Sequence, residues 1–214
     1  HQPGPVLQEE HPPAMAHGAK LVFADVDPKT FNMDPDDVAR KITKKTRAIF
    51  PVHYAGHPVD MDPIMAMAKK HKLVVIDDAA HSPGAEYKGK KIGVVGHLTC
   101  FSFHSLKNMS TLGEGGMLTT ANKKWAEEIP ILRSMGLKSY KNPKDYWLPY
   151  HYDVIDIRGE MPNNYRMSES EAAVGLVQLK KLDRFNAIRR KNVEYLNKAL
   201  AGVDFITTPF EASY

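Results

Sequence analysis

Cysteine is almost missing from this chain. Cys100 stands alone among 214 residues, so no internal disulfide framework can hold the fold, and the usage fits a reducing compartment, expected to be the cytoplasm. Cys100 lies inside an apolar run, where an inert core thiol is the simpler reading than a nucleophile. A charge excess of one sign is also lacking. Lys and Arg total 29 against 25 for Asp and Glu, the two signs are interspersed, and Lys-rich spots such as 41–47 fall at expected helix ends, where cations complement the helix dipole. Nucleic acid is therefore not an expected partner. No apolar run approaches the roughly 20 residues of a membrane span, so no membrane partner is expected either. Internal repeats and low-complexity tracts are missing too. The apolar share of 43% and the charged share of 25% are ordinary for a globular chain of one large domain.

What is present is an alternation of element types. Residues 20–25 read as a strand, followed by a turn at Asp27-Pro28. Asn32-Met-Asp-Pro opens a helix, with a capping acid and an early proline, expected to reach about Lys44. A strand follows at 47–53, a loop at 54–58, a helix from Asp60 to about His71, and a strand at 73–77. Strand, helix, strand, helix, strand with short connections argues for an α/β fold, a mostly parallel sheet covered by helices. Residues 88–93 read as a turn or hairpin, and 98–103 and 117–119 as further strands. Asn122 starts a helix to about Ser134, with Gly136 as its stop. Ser168 opens the longest helix, to about Leu200, with Ala172, Leu176, Leu179, Leu182 and Phe185 at helical spacing. Residues 1–19 and 138–162 show no clean period. A connection as long as the second is usually functional or interfacial.

Two stretches carry chemistry. In 99–116 an apolar strand runs into Lys107, with Ser102 five residues earlier and a glycine-punctuated turn, Gly113, Gly115 and Gly116, beyond it. In 73–82 a buried strand runs into Asp77, Asp78, two alanines and His81. Open α/β sheets place ligands at the carboxyl ends of their strands. A lysine at one strand end and a carboxylate at another suit pyridoxal phosphate, where the lysine attaches the cofactor and the acid keeps the pyridine nitrogen protonated.

Six motifs, in order, then carry a resemblance: Phe23-Ala-Asp-Val-Asp-Pro, Pro51-Val-His-Tyr-Ala-Gly, Ile76-Asp-Asp-Ala-Ala-His, Phe101-Ser-Phe-His-Ser-Leu-Lys, Gly113-Glu-Gly-Gly and Asn164-Tyr-Arg-Met-Ser-Glu. Over 18–200 the chain resembles the DegT/DnrJ/EryC1/StrS family of sugar aminotransferases, of the aspartate aminotransferase fold (fold type I). The resemblance implies that Lys107 is the Schiff-base lysine and Asp78 the partner of the pyridine nitrogen. It places His81 beside the ring's phenolic oxygen, Ala80 on the ring face and Ser102 at the cofactor phosphate. Asn164 would reach the phosphate site of a neighbouring subunit, so a homodimer would share its active sites. His104 and Arg166 are candidates on the substrate side.

The implied reaction moves an amino group from an amino acid, L-glutamate in the first instance, to a keto sugar carried on a nucleotide, for deoxyamino-sugar biosynthesis. A sister activity of the family, deoxysugar 3-dehydration, replaces the lysine by histidine, and Lys107 argues against it. The family's N-terminal Gly-Thr phosphate segment and smaller C-terminal domain are not found here. The chain is thus expected to be a fragment, with residues 1–200 an incomplete large cofactor-binding domain and 201–214 the start of the small one. A non-catalytic, regulatory or degenerate homologue is the alternative.

Plainer readings stand beside these. Asp77 reads as an ordinary strand-end acid. Paired carboxylates also suit a divalent metal, but no third ligand has sensible spacing, so no metal is expected. His53 and His57 are four apart, as in a helical zinc pair, yet Ala55-Gly56 and Pro58 make the segment a loop, which favours a turn role. Asn164 and Arg166 could simply cap the helix that follows.

Overall fold

A computed structural model describes residues 15–137 and 155–214. Part of the irregular stretch expected at 138–162, its residues 138–154, lies outside the described residues, as does 1–14. Helix α1 (Pro35–Lys41) starts at Asp34, whose side chain accepts from the Asp36 N–H. It stops short of the expected Lys44. The expected strand at 20–25 does not form a ladder. Its backbone bonds to side chains of α1 instead: the Asp25 N–H donates to Asp37 Oδ2 at 2.6 Å and Lys41 Nζ donates to the Phe23 carbonyl at 2.8 Å.

Strand β1 (Ala48–Ile49) is shorter than the expected 47–53. Pro51 has no N–H to give to a ladder, so pairing breaks there. It resumes as a single parallel bridge between Val52 and Asp78. Helix α2 (Met61–His71) crosses back over the sheet, burying Met61, Ile64 and Ala68 on one face. Lys72, in the left-handed conformation at φ 56°, caps it. Strand β2 (Val74–Asp78) follows. A hairpin, β3 (Glu86–Tyr87) and β4 (Lys90–Lys91), turns at Lys88-Gly89 with φ 49° and 74°, the doubly left-handed turn that suits the twist of two-residue hairpins.

Strand β5 (Leu98–Ser102) pairs parallel to β2, and β6 (Gly116–Thr119) pairs antiparallel to β5, giving the sheet order β1-β2-β5-β6. The sheet is thus mostly parallel, an α/β arrangement with helices against it. Asp78 and Ser102 are the last residues of β2 and β5, and β1 runs the same way, so the carboxyl ends of all the parallel strands share one edge. The main core lies between the sheet and α2, where Val59, Met61, Ile64 and Val75 are fully buried. Each such side chain contributes about 1.5–3 kcal/mol of apolar burial.

Helix α3 (Lys123–Arg133) is capped by Asn122, whose side chain accepts from the Trp125 N–H. The long helix α4 (Glu169–Leu200) begins with a reciprocal capping box between Ser168 and Glu171. Only part of its apolar stripe is covered. Gly175 and Leu182 are buried, Leu182 against Phe103 and Met109, whereas Leu176 and Leu179 are 64% and 55% exposed. What α4 does reach is the two site loops: Asn186 Nδ2 donates to the Pro83 carbonyl at 2.9 Å, and an Arg189 guanidinium nitrogen to the Asn108 carbonyl at 3.3 Å. Residues 201–214 hold neither helix nor strand. They pack back on the domain, with the Ala212 N–H on His57 Nε2 at 3.0 Å and the Tyr214 ring 5.2 Å from that of Tyr87.

Candidate active site

Alternation along a strand sends neighbouring side chains to opposite faces. Along β2 this separates the paired acids. Asp77 points into the α2 core and is fully buried, while Asp78 is half-buried on the other face. The parallel register sets Asp78 beside Cys100, and Ser102 lies on that same face two residues further along β5. Asp78 and Ser102 therefore line one face of one edge, as their positions at strand ends allow.

The loops beyond those ends bring the other groups in. The Ala80 N–H donates to Asp78 Oδ1 at 2.7 Å, a tight turn that swings His81 back over the edge. Lys107 Nζ lies 3.2 Å from His81 Nε2. Burial pushes the His81 imidazole below its ordinary pKa, the Lys107 charge pushes it the same way, and the Asp78 carboxylate opposes them. A neutral His81 can accept a hydrogen bond from the Lys107 ammonium. Asn108, immediately after the lysine, donates through Nδ2 to the His81 carbonyl at 3.1 Å.

The Tyr54 ring meets the His81 ring edge-on at a centroid distance of 6.2 Å. That approach depends on the tight turn Tyr54–Gly56, where Ala55 and Gly56 have φ of 52° and 87°. A Cβ on Gly56 would sit 3.0 Å from the His81 carbonyl oxygen, so only glycine fits both the conformation and the space. Asn32 holds this turn from below, accepting from the Tyr54 N–H at 3.0 Å.

Asp78, Ala80, His81, Ser102 and Lys107 thus converge on one edge. Ser102 Oγ accepts from the His104 N–H at 3.3 Å, and among the described residues its own O–H has no acceptor. His104 stands at the start of the Lys107 loop, with Nε2 at 3.8 Å from Glu114 Oε1. Asn164 and Arg166 do not join the cluster. Asn164 bridges to Ser134, its Oδ1 accepts from the Arg166 N–H at 3.4 Å, and among the described residues no hydrogen bond ties either to Lys107 or Asp78. His53 and His57 diverge: His53 Nδ1 accepts from the Val59 N–H, and His57 faces Asn32. Among the described residues no group of three or more His, Cys, Asp or Glu side chains is placed to hold a metal ion. Tyr54 and Asn108 were not singled out in the sequence. Tyr54 stands within the Pro51-Val-His-Tyr-Ala-Gly motif and Asn108 directly follows Lys107, and those positions were the available signals.

A model of one family matches residues 11–213. The chain belongs to the DegT/DnrJ/EryC1/StrS aminotransferase family. Among curated members, a pleiotropic regulatory protein of Geobacillus stearothermophilus is 41% identical over 196 residues, covering 91% of this chain and 49% of the relative. The GDP-perosamine synthase of Caulobacter vibrioides is 41% identical over 184 residues, covering 86% and 46%. The X-ray structure of an aminotransferase from Psychrobacter cryohalolentis superimposes with a TM-score of 0.83 at 35% identity, covering 92% of this chain and 50% of that one. This chain therefore spans about half the length of the curated relatives it matches.

The family's aminotransferases are enzymes of pyridoxal phosphate, and the mostly parallel α/β sheet here is of their fold type I. The residues present fit that group. The cofactor has a carbonyl for an amine, a ring nitrogen for a carboxylate, and a phosphate for hydroxyls and amides. The edge offers one amine, one carboxylate facing away from the core, and one hydroxyl with an uncommitted proton.

Proposed function

We propose that the complete protein is a pyridoxal-phosphate aminotransferase. It moves an amino group from an amino acid, L-glutamate in the first instance, to a keto sugar carried on a nucleotide, as a step in making a deoxyamino sugar. One observation carries this reading: Lys107 Nζ and His81 Nε2 lie 3.2 Å apart at the strand edge that ends in Asp78 and Ser102. Family membership and the sugar-synthase name of a 41% identical relative support it.

In this reading Lys107 would attach the cofactor, Asp78 would keep its ring nitrogen protonated, and Ser102 would donate to its phosphate. Ala80 would pack on the ring and His81 would stand beside its oxygen. When bound, the cofactor supplies an electron sink for the carbon that loses or gains a proton. Lys107 would be the group that carries that proton. The neutral His81 imidazole accepts from Lys107 and keeps its amine aimed along the edge. His104 and Arg166 meet the substrate. Asn164, away from this cluster, serves the phosphate site of a second subunit in a homodimer. Residues 1–200 belong to the large domain and 201–214 open the smaller one. The single cysteine supports a cytoplasmic setting.

The test is an absorbance spectrum of the complete protein with added pyridoxal phosphate, beside Lys107→Ala. The expected result is a visible band that borohydride fixes to Lys107, that bleaches with L-glutamate, and that the variant lacks. A complete wild-type protein with no lysine-dependent band would sink the catalytic reading. The second reading, a regulatory homologue without catalysis, then takes its place. It is favoured by one observation, the relative named a pleiotropic regulatory protein.

A further inference from the structure

Behind Asp78, on the opposite face of β2, lies a polar knot that the proposed chemistry does not use. His53 and Asp77 are both fully buried, in a core otherwise made of residues such as Met61, Ile64 and Val75. His53 Nδ1 accepts from the Val59 N–H at 3.1 Å. With Nδ1 accepting, the ring N–H is Nε2, which faces Asp77 Oδ2 at 3.9 Å. Asp77 Oδ2 also accepts from Thr99 Oγ1 at 3.0 Å. Among the described residues His53 Nε2 and Asp77 Oδ1 have no hydrogen-bond partner. The space is closed as well, because a Cβ on Gly96 would overlap the Asp77 carboxylate.

A buried acid and imidazole with incomplete bonding are poor stabilisers. Apolar residues of the same volume commonly serve stability as well or better. Their backbone placement shows what else they do. The His53 N–H donates to the Asp78 carbonyl at 3.0 Å, and the Asp78 N–H to the Pro51 carbonyl at 2.8 Å. Among the described residues these are the backbone hydrogen bonds between the 51–53 segment and the end of β2, since the regular ladder of β1 has already stopped at Ile49. The next residue, Tyr54, sets its ring against His81, which meets Lys107. A side chain that pegs His53 in the core therefore fixes Asp78 on one side and Tyr54 on the other.

We propose that His53 and Asp77 form a buried positioning pair that locks the 51–54 segment onto the end of β2, fixing Asp78 directly and His81 through the Tyr54 ring. The consequence for the cofactor rests on the functional reading above; the lock itself does not.

The experiment uses the complete protein, four single variants, and the double variant that combines His53→Asn with Asp77→Asn. His53→Asn keeps an acceptor for Val59 but cannot reach Asp77. Asp77→Asn keeps the shape and removes the charge. Thr99→Val removes one bond to Asp77 and carries the test if either of the first two fails to fold. Ile64→Ala, in the same core, is the control for simple destabilisation. The first readout is amide hydrogen exchange without added cofactor. The second is the dissociation constant of pyridoxal phosphate, from the Lys107-dependent visible band. In His53→Asn and Asp77→Asn, exchange should accelerate by about tenfold or more at the amides of 52–54 and 78–81, ahead of the rest of the sheet. The dissociation constant should rise about tenfold, with the double variant no weaker than the worse single one. Thr99→Val should move both readouts the same way by less. Ile64→Ala should lower the melting temperature and leave the dissociation constant alone. Dissociation constants within about twofold of wild type overturn the proposal. So does faster exchange spread evenly through the core, as in the control. If wild type shows no lysine-dependent band, the functional reading fails and the exchange pattern decides alone: localised acceleration upholds the lock, and even acceleration overturns it.

Discussion

Replacing Asn32 with alanine should destabilise the protein by about 2–4 kcal/mol and loosen the site without touching any group in it. Asn32 is 2% exposed and spans the gap between the loop before α1 and the 54–58 turn. Its Nδ2 lies 3.0 Å from the His57 carbonyl, 2.9 Å from the Pro58 carbonyl and 3.0 Å from His57 Nδ1, and its Oδ1 accepts from the Tyr54 N–H at 3.0 Å. A side-chain amide has a pair of N–H donors, so at most two of the three Nδ2 contacts are full hydrogen bonds. With the accepted bond that makes about three, each worth about 1 kcal/mol net, plus the penalty of stranding backbone groups away from water. The assay is urea unfolding, read as a shift in midpoint at unchanged slope. Asn32→Asp is the sharper companion. It keeps the acceptor for Tyr54 but turns a carboxylate toward two carbonyls, and should cost at least as much as alanine. A loss below about 1 kcal/mol for Asn32→Ala would refute the bookkeeping. It would mean that water replaces the amide at no cost, and that Tyr54 is held by something else.

Three further outcomes are expected. Lys107→Met should move the His81 titration up, because it removes a positive charge that disfavours the imidazolium, and Asp78→Asn should move it down. NMR of the His81 ring reads both, and no movement in either would break the Lys107–His81–Asp78 grouping. Asp37 is held down to about 2, from an ordinary 3.8, chiefly by the Lys41 ammonium and then by the Asp25 N–H. A carboxylate depressed by folding stabilises fully above its ordinary pKa and loses that contribution as pH falls toward about 2. The acid-unfolding curve of Asp37→Asn should therefore lack that part of the wild-type loss, and identical curves would deny the ion pair its role. Gly56→Ala should cost about 1–2 kcal/mol in thermal unfolding, since the residue is left-handed at φ 87° and its Cβ would press on the His81 carbonyl. Unchanged stability would show that the turn can open.

The elements that local chemistry dictates were legible in the chain. β2 and β5 are short apolar runs bounded by polar turns, the Lys88-Gly89 hairpin follows from its turn residues, and α1, α3 and α4 begin at Asp34, Asn122 and Ser168, each with a side chain able to cap. The candidate groups were legible as types at strand ends: Lys107, Asp78, His81 and Ser102. Elements that depend on a neighbour were not. Residues 20–25 have a strand-like pattern, but a strand exists only where another backbone pairs with it, and here Asp37 and Lys41 take its polar groups instead. The stripe along α4 has helical spacing, yet spacing cannot say how much of it is covered, and little beyond Leu182 is.

The sequence by itself determined the alternation of strands and helices, the candidate residues for the proposed chemistry, and the family the chain belongs to. Each of those depends on side-chain type and on spacings of a few residues. The tertiary structure alone decided that Lys107 stands 3.2 Å from a histidine 26 positions earlier in the chain. It also decided that Asp78 faces the site while Asp77 faces the core, and that His53, read from its loop as a turn residue, is buried behind them. Alternation in a strand separates two neighbouring acids whatever the fold, but which face is covered depends on where α2 packs. That placement is a property of the whole sheet and its helix.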